Sequence, residues 1–364
     1  MIEELGVHNF KRFKQLSVRL APLTVLTGLN GSGKSTLLQS LLLVRQLAER
    51  PGDMVVELNG VHGLLLGEAL DVLNVGADDA VVEITTSTTA SGRQVFHFPI
   101  PDDRSLNLTV ADLGQGVPLE LQGAGTDFTY LSAERLGPRD VFPISAVDIT
   151  HVGVGEQGQF IAQVLAQHEN DQVPEALRHP STEQDGVITV RAQVERWASD
   201  IIRPIQLTAS WPAGLSVSVI RYQEPGLLSE GIRPPNMGFG VSYALPIIVA
   251  GLLAKPGTLL IVENPEAHLH PAGQSRMGRF LGRIAGTGTQ VIVETHSDHV
   301  VNGIRLAAVE DRTIAADTIV VHFFGDGDPV TIEMTEKGGL TKWPPGFFDQ
   351  LEDDLGRLAR AKQR

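Results

Sequence analysis

Apolar residues on consecutive positions at Leu23 to Thr27, Thr258 to Val262 and Gln290 to Glu294 predict strands buried on both faces, as in a parallel sheet. Two β-compatible runs, Ile2 to His8 and Gln15 to Leu20, come before them, with Ala21-Pro22 as punctuation, and predict an N-terminal antiparallel part. Elsewhere the period becomes helical. Lys34 to Ala48 carries Leu37, Leu38, Leu41, Leu42, Val44 and Leu47 on a broad stripe. Val241 to Ala254, Ala272 to Ala285 and Val300 to Ala308 predict further helices, and Thr318 to Phe323 a further strand. Alternating strands and helices imply an α/β fold whose mainly parallel sheet is covered on both faces.

Residues 51–225 have a different texture. Short strand-like runs (Val81 to Thr85, Val95 to Phe98, Leu215 to Ile220) sit among turn-rich stretches, with helices expected at Gln157 to His168 and Val190 to Ile202. Gln167 to Gly186 is polar, acidic and interrupted by Pro, and is expected to be a mobile surface loop. The chain therefore divides into a head formed by residues 1–50 and 226–340, an inserted α+β lobe at 51–225, and a tail at 341–364. The tail predicts an amphipathic helix through Phe348, Leu351, Leu355 and Leu358.

The absence of cysteine among the 364 residues excludes a disulfide scaffold, a thiolate zinc site and a cysteine nucleophile. The net charge of -14 is unevenly spread: residues 1–50 and 355–364 each carry +4, so the middle carries -22. Such a surface argues against coating by nucleic acid and directs any phosphate chemistry to the N-terminal region. Met1 to Phe10 lacks the basic and apolar regions of a signal peptide. The longest apolar run, 14 residues with Pro246 inside it, falls short of the roughly 18 to 20 that span a bilayer. A cytoplasmic protein with no membrane segment is expected.

Gly28-Leu29-Asn30-Gly31-Ser32-Gly33-Lys34-Ser35 matches the phosphate-binding loop G-x-x-x-x-G-K-[ST] in full, between an apolar strand and a helix. The glycines let successive N–H groups turn onto phosphate oxygens, Lys34 reaches the β and γ phosphates, and the Ser35 hydroxyl suits Mg²⁺. Asn30, Gly31, Ser32, Gly33, Lys34, Ser35 and Thr36 are thus the expected contacts of Mg²⁺-ATP. Glu263, closing the strand at Thr258 to Val262, is the expected carboxylate that holds Mg²⁺ through water. Glu266 behind it is a candidate base or water-positioning group, and His296, at the tip of Val293-Glu294-Thr295-His296-Ser297, a candidate contact for the γ-phosphate or the attacking water. His268, His270, His296 and His299 offer zinc-type ligands in the same stretch, which the phosphate loop already accounts for with Mg²⁺ alone.

These residues resemble the ABC-type ATPase heads of the SMC, RecF and OLD (overcoming lysogenisation defect) group. The resemblance rests on Asn9-Phe10-Lys11-Arg12-Phe13, Leu23 to Gly28 leading into the phosphate loop, Glu263-Asn264-Pro265-Glu266 with Leu269-His270-Pro271, and Thr295-His296-Ser297. Gly238-Phe239-Gly240-Val241-Ser242 and Trp343-Pro344-Pro345-Gly346-Phe347-Phe348-Asp349 are further similar to a bacterial subfamily of stand-alone ATPases. The resemblance implies a homodimer that sandwiches two ATP molecules, each held by the phosphate loop of one subunit and by Gly240 and Ser242 of the other. Arg12 and Phe13 are implied to flank the adenine, with Phe13 as core packing the alternative. It also implies a separate effector, a nuclease or toxin in defence against phage, because about 40 residues after the ATPase core are too few for the Toprim nuclease of OLD proteins.

Two departures shape this expectation. The group carries Asp then Glu after the acidic strand, whereas this chain has Glu263 then Asn264, and an amide cannot take a proton from water. Either Glu266 replaces the base, or hydrolysis is slow and ATP acts as a switch on a scaffold. The 229 residues from Lys34 to Glu263 contain no sustained heptads, which disfavours a coiled-coil DNA clamp; DNA repair as in RecF stays a third alternative. Leu58 to Leu66 and Ser132 to Arg139 are the candidate links between nucleotide and insertion.

Overall fold

The computed structural model describes residues 1–101, 104–113, 116–123, 125–148, 151–184, 186–226 and 231–361. The chain opens with strands β1 (Ile2–Phe10), β2 (Phe13–Arg19) and β3 (Leu23–Gly28), then helix α1 (Lys34–Glu49). Next come β4 (Val55–Glu57), α2 (Ala69–Val72), β5 (Val81–Thr88), β6 (Gly92–Pro99), β7 (Asn107–Thr109), β8 (Phe128–Leu131) and β9 (Phe142–Pro143). The middle continues with α3 (Ile161–His168), α4 (Val190–Ile201), β10 (Gln206–Ser210) and β11 (Val217–Gln223). The remainder is α5 (Phe239–Leu253), β12 (Leu259–Glu263), α6 (Pro271–Gly286), β13 (Gln290–Glu294), α7 (Asp298–Val309), β14 (Ile319–Phe324), β15 (Val330–Glu333) and α8 (Gln350–Ala361).

The expected mainly parallel sheet is present, in the order β15-β14-β3-β13-β12-β8, with β15 alone antiparallel. Every residue of β12, β13 and β14 is buried, as their uninterrupted apolar runs require. A second, antiparallel sheet runs β2-β1-β5-β6 and alternates buried with open positions, as in β2, where Phe13, Leu16 and Val18 face inward. Between the two sheets lies α1, whose leucines fill the space.

The segment 51–225, expected as an inserted lobe, shares its core with the head. Strands β5 and β6 complete the antiparallel sheet, and β8 is the outermost strand of the parallel one. Val194, Trp197 and Ile201 of α4 pack into one core with Ile248 of α5 and Phe280 of α6. Gln167 to Gly186, expected as a mobile loop, is instead anchored: Val173 and Leu177 are buried, Trp197 Nε1 donates to the Leu177 carbonyl at 3.1 Å, and the His179 N–H donates to Gln193 Oε1 at 2.7 Å. Its polar composition hid two apolar anchors; Asp185 lies outside the described residues. The tail is a helix as expected, joined to the body through buried Phe347, which meets Phe323 edge-on at 5.5 Å. Leu355 and Leu358 are exposed.

Candidate functional site

The phosphate loop hangs between the end of β3 and the start of α1. Two of its glycines are required sterically. A Cβ on Gly28 (φ 136°) would lie 2.0 Å from the Phe324 carbonyl oxygen of β14, and one on Gly33 (φ 99°) would lie 2.4 Å from the Phe13 ring. The first turn of α1 leaves the N–H groups of Lys34, Ser35 and Thr36 without helical acceptors, so they face the loop as an anion cradle. Lys34, 3% exposed, donates from Nζ to the Leu29 and Gly28 carbonyls at 2.8 and 3.1 Å. Burial lowers its pKa, and the Glu294 carboxylate opposes that shift.

Across from the loop, three strand-end segments close a cavity of about 340 Å³, lined by Asn30 to Thr36, Lys11, Gln39, Ala133, Glu263, Asn264, Glu294 and His296. The phosphate loop, Glu263 and His296 therefore line one cavity. The carboxylate that meets Ser35 is a different one. Ser35 Oγ donates to Glu294, 3.0 Å from both Oε1 and Oε2. Glu263 is expected to hold Mg²⁺ with Ser35, but its oxygens accept instead from the Tyr130 hydroxyl at 2.9 Å and the Ala133 N–H at 3.2 Å. The reason is strand order: β13 lies between β3 and β12, in a register that pairs Glu263 with Glu294 and Glu294 with Leu26. The sequence carries a signal for Glu294, since both apolar strands end on a glutamate.

Glu294 carries the electrostatic cost of this cluster. Burial, together with repulsion from Glu263 and Glu266, pushes Glu294 up to about 7, against the pull of Ser35 and Lys34. Burial also raises Glu263, opposed by the Tyr130 hydroxyl. Glu266 is engaged elsewhere than a base would be: its oxygens accept from Thr295 Oγ1 at 2.7 Å and from the His296 N–H at 2.8 Å. Its contacts make it a brace for the His296 loop. Burial and the Lys34 ammonium hold the His296 pKa below its ordinary value, which favours the neutral ring.

The remaining expected residues separate. Arg12 lies at the rim and donates to the Gly31 carbonyl at 2.8 Å. Phe13, expected to flank adenine, is buried against Gly33 and meets Phe324 edge-on at 6.4 Å, which is core packing; Lys11 of the same hairpin lines the cavity instead. Gly240 and Ser242 sit in the first turn of α5 and do not line this cavity. Of the two candidate links, Ser132 to Arg139 reaches the cavity through Ala133, while Leu58 to Leu66 does not. Among the described residues, no group of three or more His, Asp and Glu could hold a metal by themselves, so the four histidines form no zinc site. No helix among those residues is long and apolar enough to cross a membrane.

The residues present fit a nucleotide with Mg²⁺. Ser32 Oγ and Asn264 Oδ1, both on the cavity, are buried with no hydrogen-bond partner among the described residues. A phosphate and its hydrated cation would satisfy such atoms, and a divalent charge would relieve the Glu263–Glu294 repulsion.

Known proteins carry the same segments. Residues 1–87 match the family described as "AAA ATPase domain", 159–302 that described as "AAA domain, putative AbiEii toxin, Type IV TA system", and 314–358 a "Protein of unknown function (DUF3696)". The chain is 20% identical to the Old nuclease of Escherichia phage P2 over 87% of its length and 24% identical to the OLD nuclease of Thermus scotoductus over 92%. It spans 61% and 66% of those two proteins. The fold is that of the Pyrococcus furiosus Smc head domain with an extended coiled coil bound to the C-terminal domain of ScpA, at a TM-score of 0.50, 14% identity and 99% coverage of both chains. Over most of its length the chain is thus similar to OLD nucleases, with segments that match AAA ATPase families set on an Smc-head fold.

Proposed function

We propose that this chain binds and slowly hydrolyses Mg²⁺-ATP, and that ATP joins two copies into a dimer which regulates a separate cytoplasmic effector, a nuclease or toxin acting in defence against phage. The observation that carries the reading is the Ser35–Glu294 pair at 3.0 Å beside the unpartnered Ser32 Oγ and Asn264 Oδ1. Bound Mg²⁺ would neutralise phosphate charge and orient the γ-phosphate. In this reading Lys34 and the α1 N-terminus hold the phosphates, Ser35 with Glu294 and Glu263 holds the cation's water shell, and neutral His296 orients the attacking water. Glu266 supports His296 from behind. Gly240 and Ser242 would meet the γ-phosphate across the dimer. The effector role draws on the relatives' names and on the acidic middle of the chain, whose -22 suits a protein partner better than DNA.

A hydrolysis-poor switch is the second reading, favoured by Asn264 in the place of a base and by the capture of both Glu266 oxygens. Turnover measured for the wild type, Lys34→Ala and Glu294→Gln tests the site. Losses of about 100-fold or more in both variants are expected, and equal rates in all three would remove the assignment. Background turnover in the wild type with ATP-dependent dimerisation intact would select the switch.

A further inference from the structure

Arg135 is 2% exposed, and its guanidinium bonds only backbone carbonyls, with Nε left without a partner among the described residues. Nη1 donates to the carbonyls of Ser132 at 2.9 Å and Glu263 at 2.7 Å, and Nη2 to that of Asn264 at 2.6 Å. The cation lies over the Tyr243 ring of α5, 5.3 Å from its centroid. One side chain thus fastens three pieces: the turn after β8, the exit of β12, and the helix that begins at Gly238. Glu263 and Glu266 are near enough to favour its charge but neither bonds it directly, and a cation buried on carbonyls alone is costly, so its place calls for a role beyond packing.

The pieces it joins are the two sides of the proposed machinery. On the nucleotide side, Ala133 donates to Glu263 and lines the cavity, and Asn264 is held at φ 45°, a conformation that favours glycine, with its N–H on the Glu294 carbonyl at 2.8 Å. On the α5 side, a Cβ on Gly137 would stand 2.9 Å from the Phe239 ring, Tyr243 meets His268 edge-on at 4.7 Å, and Phe239 lies half exposed at the helix start. Residues 132–137 therefore form a strut from the phosphate cavity to the first turn of α5.

We propose that Arg135 is a positioning residue that couples occupancy of the nucleotide cavity to the conformation of the Gly238–Ser242 turn, and so to whether that turn is ready for a second copy. The proposal rests on the nucleotide-binding reading above. Its test measures two quantities on the full chain: affinity for ATPγS with Mg²⁺, and amide hydrogen exchange of residues 236–245 with and without that nucleotide. In the wild type, nucleotide is expected to slow exchange there about tenfold. Arg135→Met is expected to bind within about threefold of wild type and to lose the slowing, while Arg135→Lys recovers part of it. Tyr243→Leu, which leaves the three carbonyl contacts in place, is expected to lose most of the slowing too. Retained slowing in Arg135→Met or in Tyr243→Leu, no slowing in the wild type, or loss of binding in step with loss of slowing would overturn the proposal. Failure of the underlying reading looks different: wild type and Lys34→Ala would bind ATPγS equally.

Discussion

Ser35 and Glu294 face one another with the hydroxyl 3.0 Å from each carboxylate oxygen, and this pair ties the phosphate loop to β13. It sits among other acids, so Glu294 titrates near 7 in the folded chain and near the ordinary carboxylate value when unfolded. The folded form thus binds more protons between about pH 4.5 and 7, and stability falls as pH rises through that window. Glu294→Gln removes the penalty. Without nucleotide or Mg²⁺, the variant should melt at the same temperature as wild type at pH 4.5 and higher at pH 8, by at most about 3 kcal/mol of stability. Thermal melts across pH check this.

Glu266 distinguishes a base from a brace. As a brace it accepts from Thr295 Oγ1 and the His296 N–H. Glu266→Gln keeps an acceptor for one of them and should lower turnover by less than about tenfold. Glu266→Ala should cost about 2 to 3 kcal/mol of stability through the orphaned donors. A loss of several hundredfold in the glutamine variant with unchanged stability would return Glu266 to the base role.

The hairpin residues Arg12 and Phe13 should separate in kind. Phe13→Leu thins the packing on Gly33 and Phe324 and should destabilise by about 1 to 2 kcal/mol with ATP affinity little changed. Arg12→Ala frees the Gly31 carbonyl and should weaken ATP binding about threefold to tenfold without a change in melting temperature. Titration with a fluorescent ATP analogue beside thermal melts reads both.

Tyr130 lowers the pKa of Glu263 by donating to its charged form. Tyr130→Phe leaves the Ala133 N–H as donor, so the carboxylate should protonate at higher pH. Turnover should fall about fivefold at pH 6 and less at pH 8, moving the acid limb of the pH–rate profile upward. A parallel drop at all pH values would assign Tyr130 to packing alone.

How far the sequence could be read follows from which interactions are local. The phosphate loop, β12 and β13 are legible because each is a contiguous pattern, and the α1 stripe from Leu37 to Leu47 is unmistakable. The role of Glu294 depends on strand order, and nothing within Val293-Glu294-Thr295 says that β13 lies beside β3. Strand β8 is not legible in the sequence because Phe128 to Leu131 is four residues of mixed polarity flanked by turns. Its importance is entirely tertiary, since Tyr130 and Ala133 reach Glu263 from there. Phe13 left two readings open because it stands beside a functional motif in sequence; its ring takes the core-packing one.

The close approach of Gly28 to the Phe324 carbonyl has a bearing on synthesis. Strand β3 is gripped on one side by β13 and on the other by β14, both from the last quarter of the chain. A ribosome-bound chain that has displayed the whole G-x-x-x-x-G-K-S motif thus still lacks both walls that shape it. The local motif is therefore complete long before the two strands that shape its geometry are available to it.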